Sequence, residues 1–287
     1  MSKPSSIVRF LFVALLLSLL LSPLACTSEA TPKLKVVAST SLISTIVKHV
    51  GGDKVQVTNI ISPAQCPGHF DVKASDVQML ADATLFLMHG WQGELFSEQL
   101  IESANNPGLQ AVTLNIMGNW MTPTVQAQAV GNITSALADV DPENTSYYQD
   151  NAQAYQEAII DKGNELKAKL VAEDVSQVNV ICDDQIKGFA VWAGFNVVAS
   201  YPRPEDLTPK KIQELVDQGK QAKVAIVIDN LQSGSPDAGV AMANEIGAAQ
   251  VTLSNFPGGI ADTETWEKAA EYNVDLLLKA LAKYREG

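Results

Sequence analysis

Apolar positions along this chain come in two patterns: short unbroken runs, and stretches in which they recur three and four residues apart. Buried strands give the first pattern and one-sided helices the second. Lys35-Val-Val-Ala38 predicts a strand, and Leu42, Ile43, Ile46, Val47 and Val50 then share one helical face that Gly51-Gly52 ends. Val55 to Ile61 predicts a second strand, followed by a Pro- and Gly-bearing loop to Ala74. Ser75 and Gln78 suit a capping box for a helix through Ala81, and Thr84 to Met88 predicts a strand ending at His89-Gly90. Two βα units in succession indicate a parallel sheet with helices on its faces.

Asp141-Pro142 is a helix start, and only Gly163 interrupts the helical run from there to about Ala172. The alternation then restarts. Strands are predicted at 177–181, 196–200, 223–228 and 250–253. Helices are predicted after Thr208-Pro209, from Pro236 to Ile246, and from about Thr263 to Lys283. The expected architecture is therefore α/β: two parallel-sheet lobes joined by one long rigid helix, with a ligand cleft between the lobes. The expected boundaries are an export signal at 1–25, a tether at 26–33, a first lobe at 34–140, the linking helix at 141–173 and a second lobe at 174–287.

The export signal rests on Lys3 and Arg9 ahead of the apolar run Phe10 to Leu21, which is too short to span a ~30 Å hydrocarbon layer as a helix. Leu24-Ala25-Cys26 resembles a bacterial lipoprotein cleavage box, which makes Cys26 the expected lipidation site and the protein extracytoplasmic and membrane-anchored. A net charge of −12 argues against a nucleic-acid partner. No Walker loop, G-x-G-x-x-G, G-x-S-x-G or H-E-x-x-H occurs.

Ligands of open parallel sheets bind beyond the carboxyl ends of the strands. The loops there carry Cys66 and His69 in a C-x-x-H turn, then His89, then Cys182-Asp183-Asp184, then Asp229. Thiolate, imidazole and carboxylate together suit Zn²⁺ better than Mn²⁺, with Cu a further candidate. The expected metal ligands are Cys66, His69, His89 and Asp183, with Cys182 and Asp229 in reserve. Other readings stand beside this one. His89 can pack on Trp91, one Asp can cap the helix after Asp184, and Cys66 and Cys182 can form a disulfide.

Several segments resemble one family. They are Val36-Val-Ala-Ser-Thr-Ser-Leu-Ile43, Val50-Gly-Gly-Asp53, Ser75-Asp76 with Leu80-Ala-Asp82, Asp139-Val-Asp-Pro-Glu-Asn144 with Tyr147-Tyr148, Pro257-Gly-Gly259 and Tyr272 to Leu278. Together they are similar to the metal-binding proteins of bacterial zinc and manganese ABC importers, the TroA/ZnuA group. The resemblance implies two lobes, a rigid helix, a metal in the cleft and delivery to an ABC permease in the cytoplasmic membrane. It does not carry over the ligands. The family's first-loop His falls on Gly68, its second His on Asn119, its third ligand on Asp183 and its final Asp on Ser254.

The sequence thus predicts a monomeric, non-enzymatic solute-binding lipoprotein that captures a divalent metal ion, zinc foremost. A same-fold binder of a metal chelate or organic solute is the alternative, and a zinc hydrolase the more distant one.

Overall fold

A computed structural model describes residues 32–91 and 96–286. The export signal, the lipidation at Cys26 and the tether up to residue 31 lie outside the described residues.

The first sheet contains β1 (Leu34–Ala38), β2 (Val55–Asn59), β3 (Leu85–His89) and β4 (Gln110–Leu114) in the order β2-β1-β3-β4. All of its pairings are parallel. Around it lie α1 (Ser41–Gly51), α2 (Ala74–Ala81), α3 (Phe96–Ala104) and α4 (Pro123–Val140). The second sheet repeats the scheme with β5 (Asn179–Asp183), β6 (Asn196–Tyr201), β7 (Ile226–Asn230) and β8 (Ala249–Leu253) in the order β6-β5-β7-β8. Its pairings are also parallel. Its helices are α6 (Lys187–Ala193), α7 (Pro209–Ala222), α8 (Asp237–Ile246) and α9 (Trp266–Glu286). Between the sheets runs α5 (Thr145–Ala172), whose 28 residues span about 42 Å.

Burial explains the strand sequences. Central β7 is buried at every position, as a strand covered on both faces must be, while edge strands β2 and β4 keep exposed positions. The apolar core is continuous from Val36 and Leu87 through Tyr155, Ile159 and Leu166 of α5 to Val180 and Trp266. Helix α5 is unbroken at Gly163. That residue lies against the Pro123 ring, where a Cβ would collide, so the glycine lets α4 and α5 approach closely.

Two local expectations change. The first turn of α2 is closed by Asp76, whose Oδ2 accepts from the Lys73 backbone N–H at 2.8 Å; Ser75 and Gln78 do not form the box. Asp141 does not cap α5 directly, because a 3-10 turn over Pro142–Asn144 intervenes. Its carboxylate accepts instead from Tyr148 Oη at 2.6 Å and Asn144 Nδ2 at 2.8 Å.

Candidate cargo cleft

In both sheets the strand order reverses between the first and third strands, which opens a crevice beyond their carboxyl ends. The two crevices face one cleft of about 660 Å³. The segments following all eight strands line it. Leu42, Cys66, Pro67, Gly68, Trp91, Gly118, Asn119 and Trp120 come from the first lobe. Asp184, Gln185, Pro202, Arg203, Asp206, Asn230, Gln232, Ser233, Asn255 and Phe256 come from the second.

The lobes touch across this cleft. Asn119 Nδ2 donates to Asn255 Oδ1 and to the Gln185 carbonyl, each at 2.8 Å. Gln232 Nε2 donates to the Pro63 carbonyl at 2.8 Å, and Trp266 Nε1 to the Trp120 carbonyl at 3.1 Å. His69 Nε2 lies 3.3 Å from Glu205 Oε1. The Trp91 and Phe256 rings are parallel within 3°, with centroids 6.4 Å apart.

The six residues expected to ligate metal do not gather. Among the described residues no three His, Cys, Asp or Glu side chains are placed to hold one ion. Of the six, only Cys66 lines the cleft. His69 is largely exposed and faces Glu205. His89 is 2% exposed, because Trp91 stacks on its ring at 3.6 Å and Trp120 meets it edge-on at 4.5 Å. Its Nε2 lies 2.8 Å from Thr40 Oγ1, and burial holds its pKa well below the ordinary value, so the ring is neutral. Cys182 sits in the core, and burial pushes its thiol up to about 12. Both Cys66 and Cys182 are free, so the disulfide does not form.

The two carboxylates are also committed elsewhere. Asp183 is 2% exposed and accepts from the Gln185 N–H at 2.7 Å; burial raises its pKa to about 6. Successive side chains at a strand end point to opposite sides. Asp184, one residue on, is therefore the one that lines the cleft. Asp229 accepts from Tyr201 Oη and Gln250 Nε2, both at 2.7 Å, and its carboxylate fills the space beside Gly239. Burial raises its pKa as well.

The positions where the resembling family carries ligands are equally occupied. Gly68 offers no side chain. Asn119 bridges the lobes. Ser254 is buried in a network with Gln232 Nε2 at 3.0 Å and the Phe256 carbonyl at 2.9 Å. Sequence reasoning placed Asp184 in a candidate loop but preferred Asp183 as the ligand, and it passed over Arg203, Asn230, Gln232 and Asn255. Each stands at the carboxyl end of a strand or within two residues beyond it, so the rule that selected the other loops also selects these.

Comparison with known proteins agrees with this architecture. The chain matches the family described as Zinc-uptake complex component A, periplasmic, over residues 36–280. It is 24% identical to the metal ABC transporter substrate-binding lipoprotein SsaB of Streptococcus sanguinis, covering 95% of this chain and 98% of that one. It is 23% identical to the manganese-binding lipoprotein MntA of Halalkalibacterium halodurans, covering 96% and 99%. An iron ABC transporter substrate-binding lipoprotein, MtsA of Streptococcus pyogenes, is 22% identical over 99% and 100%. Among solved structures, the crystal structure of ZnuA superposes with a TM-score of 0.75 at 19% identity, over 87% of this chain and 100% of that one. The Mn-bound periplasmic metal binding protein of Candidatus Liberibacter asiaticus superposes at 0.73 and 21% identity, over 87% and 100%. Among the described residues no helix is long and apolar enough to cross a membrane. With its two parallel-sheet lobes and inter-lobe cleft, this chain belongs to the zinc-uptake complex component A family, the substrate-binding, non-enzymatic components of metal ABC importers.

Proposed function

We propose that this protein is the cargo-binding subunit of an ABC importer for a transition metal, zinc foremost, and that the metal enters the cleft with donor groups of its own. Lipidation at Cys26 would hold it, as a monomer, beside its permease at the outer face of the cytoplasmic membrane. The observation carrying this reading is the makeup of the cleft. A bare Zn²⁺ asks for three or four protein donors at about 2.0–2.3 Å. The cleft supplies amides, aromatic faces, a guanidinium, one thiol and the carboxylates of Asp184 and Asp206, and among the described residues no three of its donors are placed to hold one ion. Such walls suit a chelate, whose outer surface needs hydrogen bonds and packing.

The family description supports zinc as the metal, while the names of relatives bring manganese and iron into the same frame. Capture needs no covalent step. Both lobes contribute wall residues, so cargo seated between them adds contacts that an open form lacks, and binding favours closure. The Asn119 and Gln232 bridges are the contacts that opening would break before transfer to the permease.

One observation favours a second reading, capture of a bare zinc ion. The Cys66 thiol is on the cleft wall and His69 follows three residues later. Together with Asp183 they retain the composition of a mixed-donor site, although the side chains would have to reorient.

Elemental analysis of the protein isolated without chelators from metal-replete cells tests the function itself. Near-stoichiometric zinc is the expected result. A protein carrying no transition metal at all refutes the proposal.

A further inference from the structure

Arg203 follows β6 and reaches across the cleft to the first lobe. A Cβ built on Gly68 would stand 2.7 Å from Arg203 Nη1, so the guanidinium fills the space that a side chain at residue 68 would enter. Among the described residues Arg203 makes no ion pair and no hydrogen bond through its side chain. A fixed positive charge there repels a bare divalent cation and attracts an anion, and its planar fork matches a carboxylate.

Other features of the same cleft extend the match. Asp184, after β5, and Asp206, three residues beyond Arg203, line it as well, so the wall carries both signs of charge. Two lining residues have buried polar atoms with no partner among the described residues: the acceptor Asn230 Oδ1 and the donor Trp120 Nε1. Buried polar groups are rarely left unpaired, and a ligand is one way to satisfy them. Trp91 and Phe256, parallel and on opposite lobes, present flat apolar faces.

From this arrangement we infer that the cleft recognises a zwitterionic aminocarboxylate bearing a flat ring, as the organic carrier of the metal. Arg203 takes the carboxylate, and the Trp120 N–H satisfies a further ligand acceptor. Asn230, with Asp184 or Asp206, takes the protonated or metal-bound amine side, and the ring packs among Trp91 and Phe256. The inference rests on the reading of this cleft as the cargo site and gives that cargo a chemical class.

The test is calorimetric titration of the metal-free protein with zinc chloride alone, with L-histidine alone, and with zinc plus two equivalents of L-histidine. Histidine is the simplest probe with an amine, a carboxylate, a flat ring and zinc affinity. Arg203→Gln and Arg203→Lys are run beside the wild type, each checked for native circular dichroism. The expected result is that zinc with histidine binds at least tenfold more tightly than zinc alone. Arg203→Gln should lose about tenfold or more, and Arg203→Lys should recover part of the loss. Zinc binding that is indifferent to histidine and to both Arg203 variants overturns the inference while leaving the importer function standing. So does failure of all three titrants on protein that carried metal when isolated. Protein that carries no metal from cells fails the function itself, so the two failures are distinguishable.

Discussion

Asn119 of the first lobe and Asn255 of the second share a hydrogen bond of 2.8 Å across the mouth of the cleft. The same amide nitrogen reaches the Gln185 carbonyl, and Asn119 Oδ1 accepts from the Met121 N–H at 2.8 Å. One side chain thus fixes its own loop and two loops of the opposite lobe. Asn119→Ala removes these bonds and leaves the Trp266–Trp120 contact in place. The variant should lose about 1–2 kcal/mol of stability in urea unfolding. Its cargo should also dissociate faster in stopped-flow, because closure is less favoured. Unchanged dissociation would mean that the bond is not part of the closed, loaded state.

Gly68 and Arg203 exclude one another from the same space. Gly68→His places an imidazole in the loop that already holds Cys66 and His69, and it displaces the guanidinium. Zinc chloride alone should then bind more tightly, by about tenfold, since a second imidazole joins the thiol. Zinc with histidine should bind more weakly than in the wild type. Titration of both forms checks the reversal of preference.

Asp183 gives the protein a pH dependence of calculable sign. Its carboxyl titrates near 3.9 in the unfolded chain, and burial raises it to about 6 in the fold. The folded state therefore holds the proton more tightly. The stability is fully present below about pH 4, falls as pH rises through about 6, and then levels off. Asp183→Asn keeps an acceptor for the Gln185 N–H and carries no charge. Its stability relative to wild type should rise by roughly 2–3 kcal/mol between pH 4 and pH 7.5, read from urea unfolding at each pH. A constant difference across that range contradicts the burial of an ionised Asp183.

Gly163 tests the seam between α4 and α5. Alanine is the better helix former by about 1 kcal/mol. Here its methyl group would run into the ring of Pro123. Gly163→Ala should therefore destabilise by about 1–3 kcal/mol despite the propensity gain. Lys162 beside it should keep its ion pairs with Glu165 at 3.1 Å and Glu271 at 3.0 Å. A stabilised variant would show that the two helices can separate without cost.

The βα alternation was legible because central strands are buried on both faces and so appear as unbroken apolar runs, as in Ile226–Ile228. What escaped were β4, α3 and α4, while α6 entered only as a helix that an Asp after β5 can cap. Edge strand β4 is exposed over most of its length, so it shows no such run. Helix α4 buries small and polar residues, among them Ala129, Thr134, Ala136 and Gln126, against its neighbours, which flattens its apolar pattern. Helix α6 is only seven residues long, too short for a period to register. The cleft loops were found by topology alone. Side-chain direction at the strand ends was not encoded in residue type: Asp183 turns inward while Asp184 lines the cleft. His89 was drawn away from the cleft by stacking on Trp91, a contact that sequence proximity suggested but could not rank against metal ligation.

The account turns on a cleft that accepts a metal together with an organic carrier. Native mass spectrometry of the protein, isolated from cells without chelators, reads this directly. The predicted spectrum shows one bound species per chain whose mass exceeds that of the metal, and which releases both a transition metal and a small organic acid on denaturation. A bound mass equal to one bare metal ion would contradict it.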